Sequence, residues 1–349
     1  MHRVIGFIKK LRPEEILAFG MAIVGFAILL CTAPQENISA LRILKMLVRY
    51  FSFGDAFFTL FFVFIWIAVF VHIFLRISHL AIKLVVYKKH ISRVDIVYAL
   101  TTIGTPIRLL LPIAIVTIPT YGVLEVMSIH LRFTTFDIAF NTADNIIFGF
   151  SPFLYLPSVL SSPFFDTLIT YSYTWLGYIL SITGILLFAL GRMEALRRLL
   201  CAFLLSMLIS YPLFFVLPCQ DPNNFFIRNL RNHTLPADVL IERAAYTPSV
   251  QITEIIRIIE KSETDVENDN SVPISCFPSS HAMWALFVVY FLATLSSWSL
   301  IISIPWIILL LTGGIYFGQH YVIDYVVALP IAFICIWIAK TLIKEPPKQ

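Results

Sequence analysis

Charge is scarce in this sequence. Only 13% of its 349 residues are Asp, Glu, Lys or Arg while 59% are hydrophobic, and a mean hydropathy of +0.86 excludes an ordinary soluble domain. The basic N-terminus "MHRVIGFIKKLRPEE" is followed by no small-residue cleavage site, and the apolar stretch after it is too long for a signal-peptide core. That stretch is therefore a first membrane span. There is no internal repeat and no matched pair of Gly/Pro-broken helices, which argues against a transporter built from two halves. His and Cys do not fall at metal-ligand spacing: His130 and His233 lack partners, and His72, His79 and His90 fit a basic segment near lipid head groups, so no metal or other cofactor is implied. The net charge of +4 sits in clusters between apolar runs and carries no nucleic-acid signal.

What the sequence has is long apolar runs. A helix needs about 20 mainly apolar residues to cross a bilayer, and eight candidates occur near 15–33, 55–77, 106–127, 168–190, 197–217, 281–297, 299–317 and 322–340. The expected class is an all-α polytopic membrane bundle. The basic clusters "HRVIGFIKKLR", "RISHLAIKLVVYKKHISR", "GRMEALRR" and "KTLIKEPPK" all fall on one side if both termini are cytoplasmic. Residues 34–54, 128–167 and 218–280 then lie outside. The first of these has Leu41, Leu44, Leu47 and Val48 at helical spacing with Arg42, Lys45 and Arg49 opposite, which suits an interfacial helix or a surface helix covering the bundle. The third holds an amphipathic stretch with Ile252, Ile255, Ile256 and Ile259 on one face, followed by an acidic tract that reads as a solvated loop. Cys219 and Cys276 bracket this loop and could form a disulfide, or pack singly, whereas Cys31, Cys201 and Cys335 read as small hydrophobes within or near spans.

Two polar motifs interrupt the apolar runs. In "CFPSSHAMWALF", residues 276–287, Pro278 suits the first turn of a helix, so the sixth span is expected to begin at Pro278-Ser279-Ser280-His281. A helix start presents backbone N–H groups and the positive end of the dipole to anions, and Ser279, Ser280 and His281 add polar side chains there. Ser is also an ordinary N-cap, and a His at a membrane interface is often a polar tip alone. In "TGGIYFGQHYVIDY", residues 312–325, His320 and Asp324 are four apart and share a helix face, so the carboxylate can accept the proton of one imidazole nitrogen and leave the other free as a nucleophile. Two spans of roughly 17 to 19 residues separate His281 from His320, one leaving the face and one returning, which brings both to the outer side.

"PSSH" followed by "GQHYVID" resembles the P-S-x-H and S-R-x5-H-x3-D motifs of the type-2 phosphatidic acid phosphatase superfamily. Two departures stand out. No K-x6-R-P stretch exists, and the Arg of the second motif falls at Gly314. The inositol phosphorylceramide synthase-like branch departs similarly; its Y-x2-H-H-Y-x2-D is matched by Tyr316, His320, Tyr321 and Asp324, with Gln319 in place of the first His. Asp144, Gly149, Pro152, Asp166 and Tyr171 are similar to that branch's outer segment, and "YPLFFVLPCQDPNNFF" looks like its F-P-x-x-P-P segment; either stretch could equally be an interfacial loop without chemistry.

The resemblance implies a six-helix catalytic bundle over 101–340, with two added spans and an interfacial helix in 1–100 and a cytoplasmic tail at 341–349. It implies a lipid phosphotransferase working through a phosphohistidine: His320 as nucleophile, Asp324 orienting it, His281 as acid and base. Ser279, Ser280, Gln319 and Tyr321 are expected to contact phosphate, with Arg228 and Arg231 as candidates for the missing clamp, against a role at lipid phosphates of the interface. The partners implied are a phospholipid or lipid phosphate donor and water, ceramide, diacylglycerol or another alcohol as acceptor. The alternatives are a plain phosphatase of the phosphatidate or polyprenyl-diphosphate type, and a catalytically silent lipid-binding or transport protein. A bacterial inner membrane with a periplasmic site, or a Golgi or endoplasmic-reticulum membrane with a lumenal one, fits the topology.

Overall fold

The computed structural model describes residues 11–32, 56–86, 92–94, 108, 112, 115–116, 135–229, 234–246 and 277–344. Among these there are eleven α-helices and no strand, as the hydropathy pattern demands of a chain that must satisfy its backbone within each span. In chain order they are α1 (Pro13–Thr32), α2 (Ala56–Val85), α3 (Asp137–Phe148), α4 (Pro152–Leu160), α5 (Pro163–Thr174), α6 (Leu176–Ala189), α7 (Met193–Val216), α8 (Ala237–Ala245), α9 (Ser280–Leu295), α10 (Leu300–Tyr316) and α11 (Val322–Leu342). Helices over Pro13–Cys31, Met193–Val216, Ser297–Tyr316 and Val322–Leu342 are long and apolar enough to cross a membrane, and α5 with α6 makes a fifth span if the pair is read as one. The interfacial helix expected at 34–54, most of the third span and the loop residues 247–276 lie outside the described residues.

The fourth expected span is broken rather than continuous. α5 and α6 meet at Trp175 with a bend of 50°. Thr170, Ser172 and Thr174 each return their hydroxyl to the carbonyl four residues back, a pattern that bends helices. Trp306 of α10 donates its indole N–H to the Ser172 carbonyl at 3.1 Å, so the bend is held from the neighbouring helix.

α9 is the central rod. It packs against α6, α7, α10 and α11, and Ala282, Ala285, Phe287 and Val288 are fully buried within the main core. At 16 residues it is only about 24 Å long, which suits a helix sheathed by longer ones. Ala328, Ala332, Cys335 and Ala339 of α11 are also fully buried, and small residues at this spacing let α11 approach α7 and α9 closely. At the far end from the start of α11, buried Glu14 pairs with Arg197 at 2.7 Å and joins α1 to α7, while Arg198 donates to the Ile343 carbonyl at 2.7 Å.

The start of α9 differs from the sequence expectation by two residues. Pro278 lies outside the helix after a cis Phe277–Pro278 bond, and Ser279 is the N-cap, its hydroxyl accepting from Ala282 N at 3.2 Å. A residue that can cap displaces Pro from the first turn. The start of α11 is capped from outside the helix: Asp144 of α3 accepts from Val322 N at 2.8 Å and Ile323 N at 3.0 Å. Replacing Asp144 by Ala strands two N–H groups at a helix start and is expected to lower unfolding free energy by about 1–3 kcal/mol. Thermal unfolding in detergent micelles measures the loss, and a midpoint equal to wild type would contradict it.

Candidate active site

α9 and α11 both begin at the same end of the bundle, because α10 returns the chain between them. The turn from α10 to α11 carries the second motif. Gly318 adopts φ +66, where a side chain would be strained, and a Cβ there would lie 3.1 Å from Asn223 N. Its carbonyl accepts from Asn223 N at 2.8 Å, and the Gly314 carbonyl accepts from both Gln319 N (2.8 Å) and His320 N (3.1 Å). His320 is thus fixed by backbone on both sides of its turn.

The imidazole of His320 is 4% exposed and bridges the two motifs. Its Nδ1 lies 3.1 Å from Asp324 Oδ2, and its Nε2 lies 3.1 Å from the Ser279 hydroxyl. An ionised Asp324 only accepts, so in that state Nδ1 carries the proton and Nε2 presents its lone pair, with Ser279 as donor to it. Asp324 also accepts from Tyr321 N at 2.9 Å. His281, on the first turn of α9, has its ring centroid 5.6 Å from that of His320 and stacks on Tyr173 at 5.1 Å and 19°. His320, Asp324, His281 and Ser279 therefore stand together.

Four buried aspartates converge on the segment from Tyr316 to Asp324. Asp166 accepts from the Tyr316 hydroxyl. Asp137 accepts from the Tyr321 hydroxyl at 2.7 Å and from Gln220 N at 3.1 Å. Asp144 caps α11, and Asp324 holds His320. Tyr321, expected to contact phosphate, instead gives its hydroxyl to Asp137 inside a cage of Phe140, Phe153 and Phe226. A tyrosine hydroxyl buried at this depth usually finds such a partner.

The remaining expected residues divide. Ser280 is partly exposed at the first position of α9, and Gln319 is buried in the turn. Arg228 is exposed, its guanidinium 3.5 Å from Asn224 Oδ1, and Arg231 lies outside the described residues. Of the outer segment, Asp144 and Asp166 hold the second motif, Gly149 ends α3 at φ +77, Pro152 opens α4, and Tyr171 is half exposed beside Trp175. Cys219 is disulfide-bonded; Cys276 lies outside the described residues, while Cys31, Cys201 and Cys335 are free. In the segment after Cys219, Gln220, Asp221, Asn223 and Asn224 are buried and the backbone of Asn223 holds Gly318, while the acidic tract expected to be a solvated loop lies outside the described residues.

Sequence reasoning missed Asp137, Tyr173, Tyr325 and Asn223. One readable signal existed, the polar stripe Asp137, Asn141, Asp144 at helical spacing in an apolar chain. Tyr173 and Tyr325 carried none, since each sits in an apolar run and is joined to the site only by packing.

A family model described as the PAP2 superfamily matches residues 140–338. No curated protein and no solved structure matches the chain.

Burial raises the Asp137 carboxyl from 3.8 to about 6, and the hydrogen bonds from Tyr321 and Gln220 only partly offset it. The folded state thus holds this proton more tightly than the unfolded one. Stability from this group is fully present below pH 4 and is lost as pH rises toward 6, by about 3 kcal/mol in all. Asp137→Asn is expected to remove that part of the pH dependence of the unfolding midpoint between pH 4 and 6. Parallel wild-type and variant curves would refute the assignment.

Proposed function

The chain belongs to the PAP2 superfamily, and from that premise we propose that it transfers a phosphate-bearing lipid head group through a phosphohistidine on His320. Membership brings phosphatase or phosphotransferase chemistry on lipid phosphates in a membrane. The observation that carries the finer reading is the bridged imidazole: Nδ1 on Asp324, Nε2 turned to the start of α9, and the His281 ring beside it.

In the first step the Nε2 lone pair attacks phosphorus in place of its contact with Ser279. The N–P bond forms, the bond from phosphorus to the leaving oxygen breaks, and His281 gives that oxygen a proton. Asp324 holds Nδ1–H and offsets the positive charge that develops on the ring. In the second step His281 takes the proton of the acceptor hydroxyl, the acceptor oxygen bonds to phosphorus, and the N–P bond breaks. Water as acceptor gives hydrolysis and an alcohol gives transfer. The burial of His320 supports transfer, because a nearly closed site limits the access of bulk water to the intermediate.

The site faces the outer side of the membrane. Arg12, Arg192, Arg197, Arg198, Lys340 and Lys344 flank the ends of α1, α7 and α11, and the Arg198 contact with Ile343 puts those of α7 and α11 at the end remote from His320. A basic end is the cytoplasmic one. The division at residue 100 follows the same reading: α1 packs on α7 and α2 on α6, outside the pair of helices that carry the motifs.

The test is product analysis by mass spectrometry of the purified chain in micelles with a mixed phospholipid extract, with and without ceramide or diacylglycerol. A head group moved onto the added alcohol, with His320→Ala reduced by about 10³-fold or more and His281→Ala by about 10²- to 10⁴-fold, supports phosphotransfer. Phosphate released without acceptor dependence makes the protein a phosphatase. Identical products from wild type and His320→Ala would refute catalysis at this site.

A further inference from the structure

We propose that the Tyr325 hydroxyl binds a phosphoryl oxygen of the substrate and does part of the work of the basic clamp that the sequence lacks; this rests on the phosphotransfer reading above. Tyr325 is 5% exposed and its hydroxyl oxygen is buried without a hydrogen-bond partner. Buried hydroxyls are nearly always satisfied, and one left open beside a reactive group is a donor held ready for a ligand. The ring of Tyr325 lies 5.4 Å from that of His320.

Gly314 is what makes the place. A Cβ on Gly314 would stand 2.0 Å from the Tyr325 hydroxyl, 3.1 Å from His320 Cδ2 and 3.3 Å from the Tyr173 ring. Cδ2 is the ring carbon bonded to Nε2, so the hydroxyl comes up on the side of the imidazole that attacks phosphorus. Tyr173 joins the same point to His281, on which it stacks. The two histidines, the hydroxyl and the absent side chain therefore share one small volume. Any larger residue at 314, arginine included, would have to displace Tyr325. The Tyr325 hydroxyl of α11 thus fills the volume that a side chain at 314 of α10 would need.

The test uses the full chain in micelles, with His320-dependent turnover and its inhibition by orthovanadate as readouts, in wild type, Tyr325→Phe, Gly314→Ala and the double variant, and His320→Ala as blank. Tyr325→Phe is expected to lower turnover by about 10- to 100-fold and weaken vanadate inhibition by at least about 10-fold. Its thermal midpoint should be no lower than wild type, because it removes an unsatisfied group, and the pH profile of the remaining turnover should keep its shape. Gly314→Ala should harm wild type severely and add little to Tyr325→Phe, where the overlapping oxygen is gone. Turnover and vanadate inhibition within about twofold of wild type in Tyr325→Phe would overturn the proposal while leaving the phosphotransfer reading intact. A displaced pH profile would also overturn it, since the tyrosine would then act by positioning His320. If wild type has no His320-dependent turnover, both fall together.

Discussion

Four carboxylates hold one short stretch of chain, and the arrangement of the rest follows from it. Asp166, Asp137, Asp144 and Asp324 bind the hydroxyl of Tyr316, the hydroxyl of Tyr321, the first N–H groups of α11 and the imidazole of His320. In an apolar bundle each polar group of this turn would be costly if left alone, so each is matched by a buried acceptor from another element. Three of the four come from α3 and α5, two from the first and one from the second, and their backbones must be brought to the turn for the pairs to form. The network fixes the rotation of α11 and with it the direction of His320.

This solution has an electrostatic consequence. Acidic groups gathered around a site for an anion oppose its binding unless cations or protons offset them. The Asp137 carboxyl, raised to about 6 by burial, moves toward neutrality and lessens that opposition. The Val322 and Ile323 N–H groups at the start of α11 are already taken by Asp144. Around His320, among the described residues, stand the Ser279 hydroxyl at Nε2 and the rings of Tyr325 and His281. A site of this kind depends on oriented dipoles rather than net positive charge.

The bend at Trp175 and the insertion of the Gln220 to Ile227 segment show how a membrane bundle makes room for such a site. Hydroxyl back-bonding in α5 precedes its 50° bend into α6, and Tyr173 beside the bend stacks on His281. In the segment after Cys219 the backbone N–H of buried Asn223 holds the Gly318 carbonyl. Neither feature lines the reacting atoms directly through a charged side chain, yet both set the distances between those that do.

Helix class, the places of most described spans and the two histidine motifs were legible in the sequence, because hydropathy, four-residue spacing and a hydroxyl before an apolar run are local properties of the chain. The roles of Asp144 and Asp166 were half legible: their residue type in an apolar setting marked them, but their partners lie far away in sequence. Tyr321 was misread because spacing shows which face a residue occupies on its helix and not what stands opposite it; Asp137 stands there. The start of α9 was misplaced because proline and serine compete for a helix start, and the hydroxyl bond to Ala282 decided it. Tyr325 was beyond any reading of sequence, and Gly314 showed there only as a departure from a motif, for a missing side chain has meaning only when something from another helix fills its volume. The sequence by itself determined that this chain is a helical membrane protein with two histidines at one face; only the tertiary structure decided which groups surround them, because contacts between helices depend on packing that local chemistry does not encode.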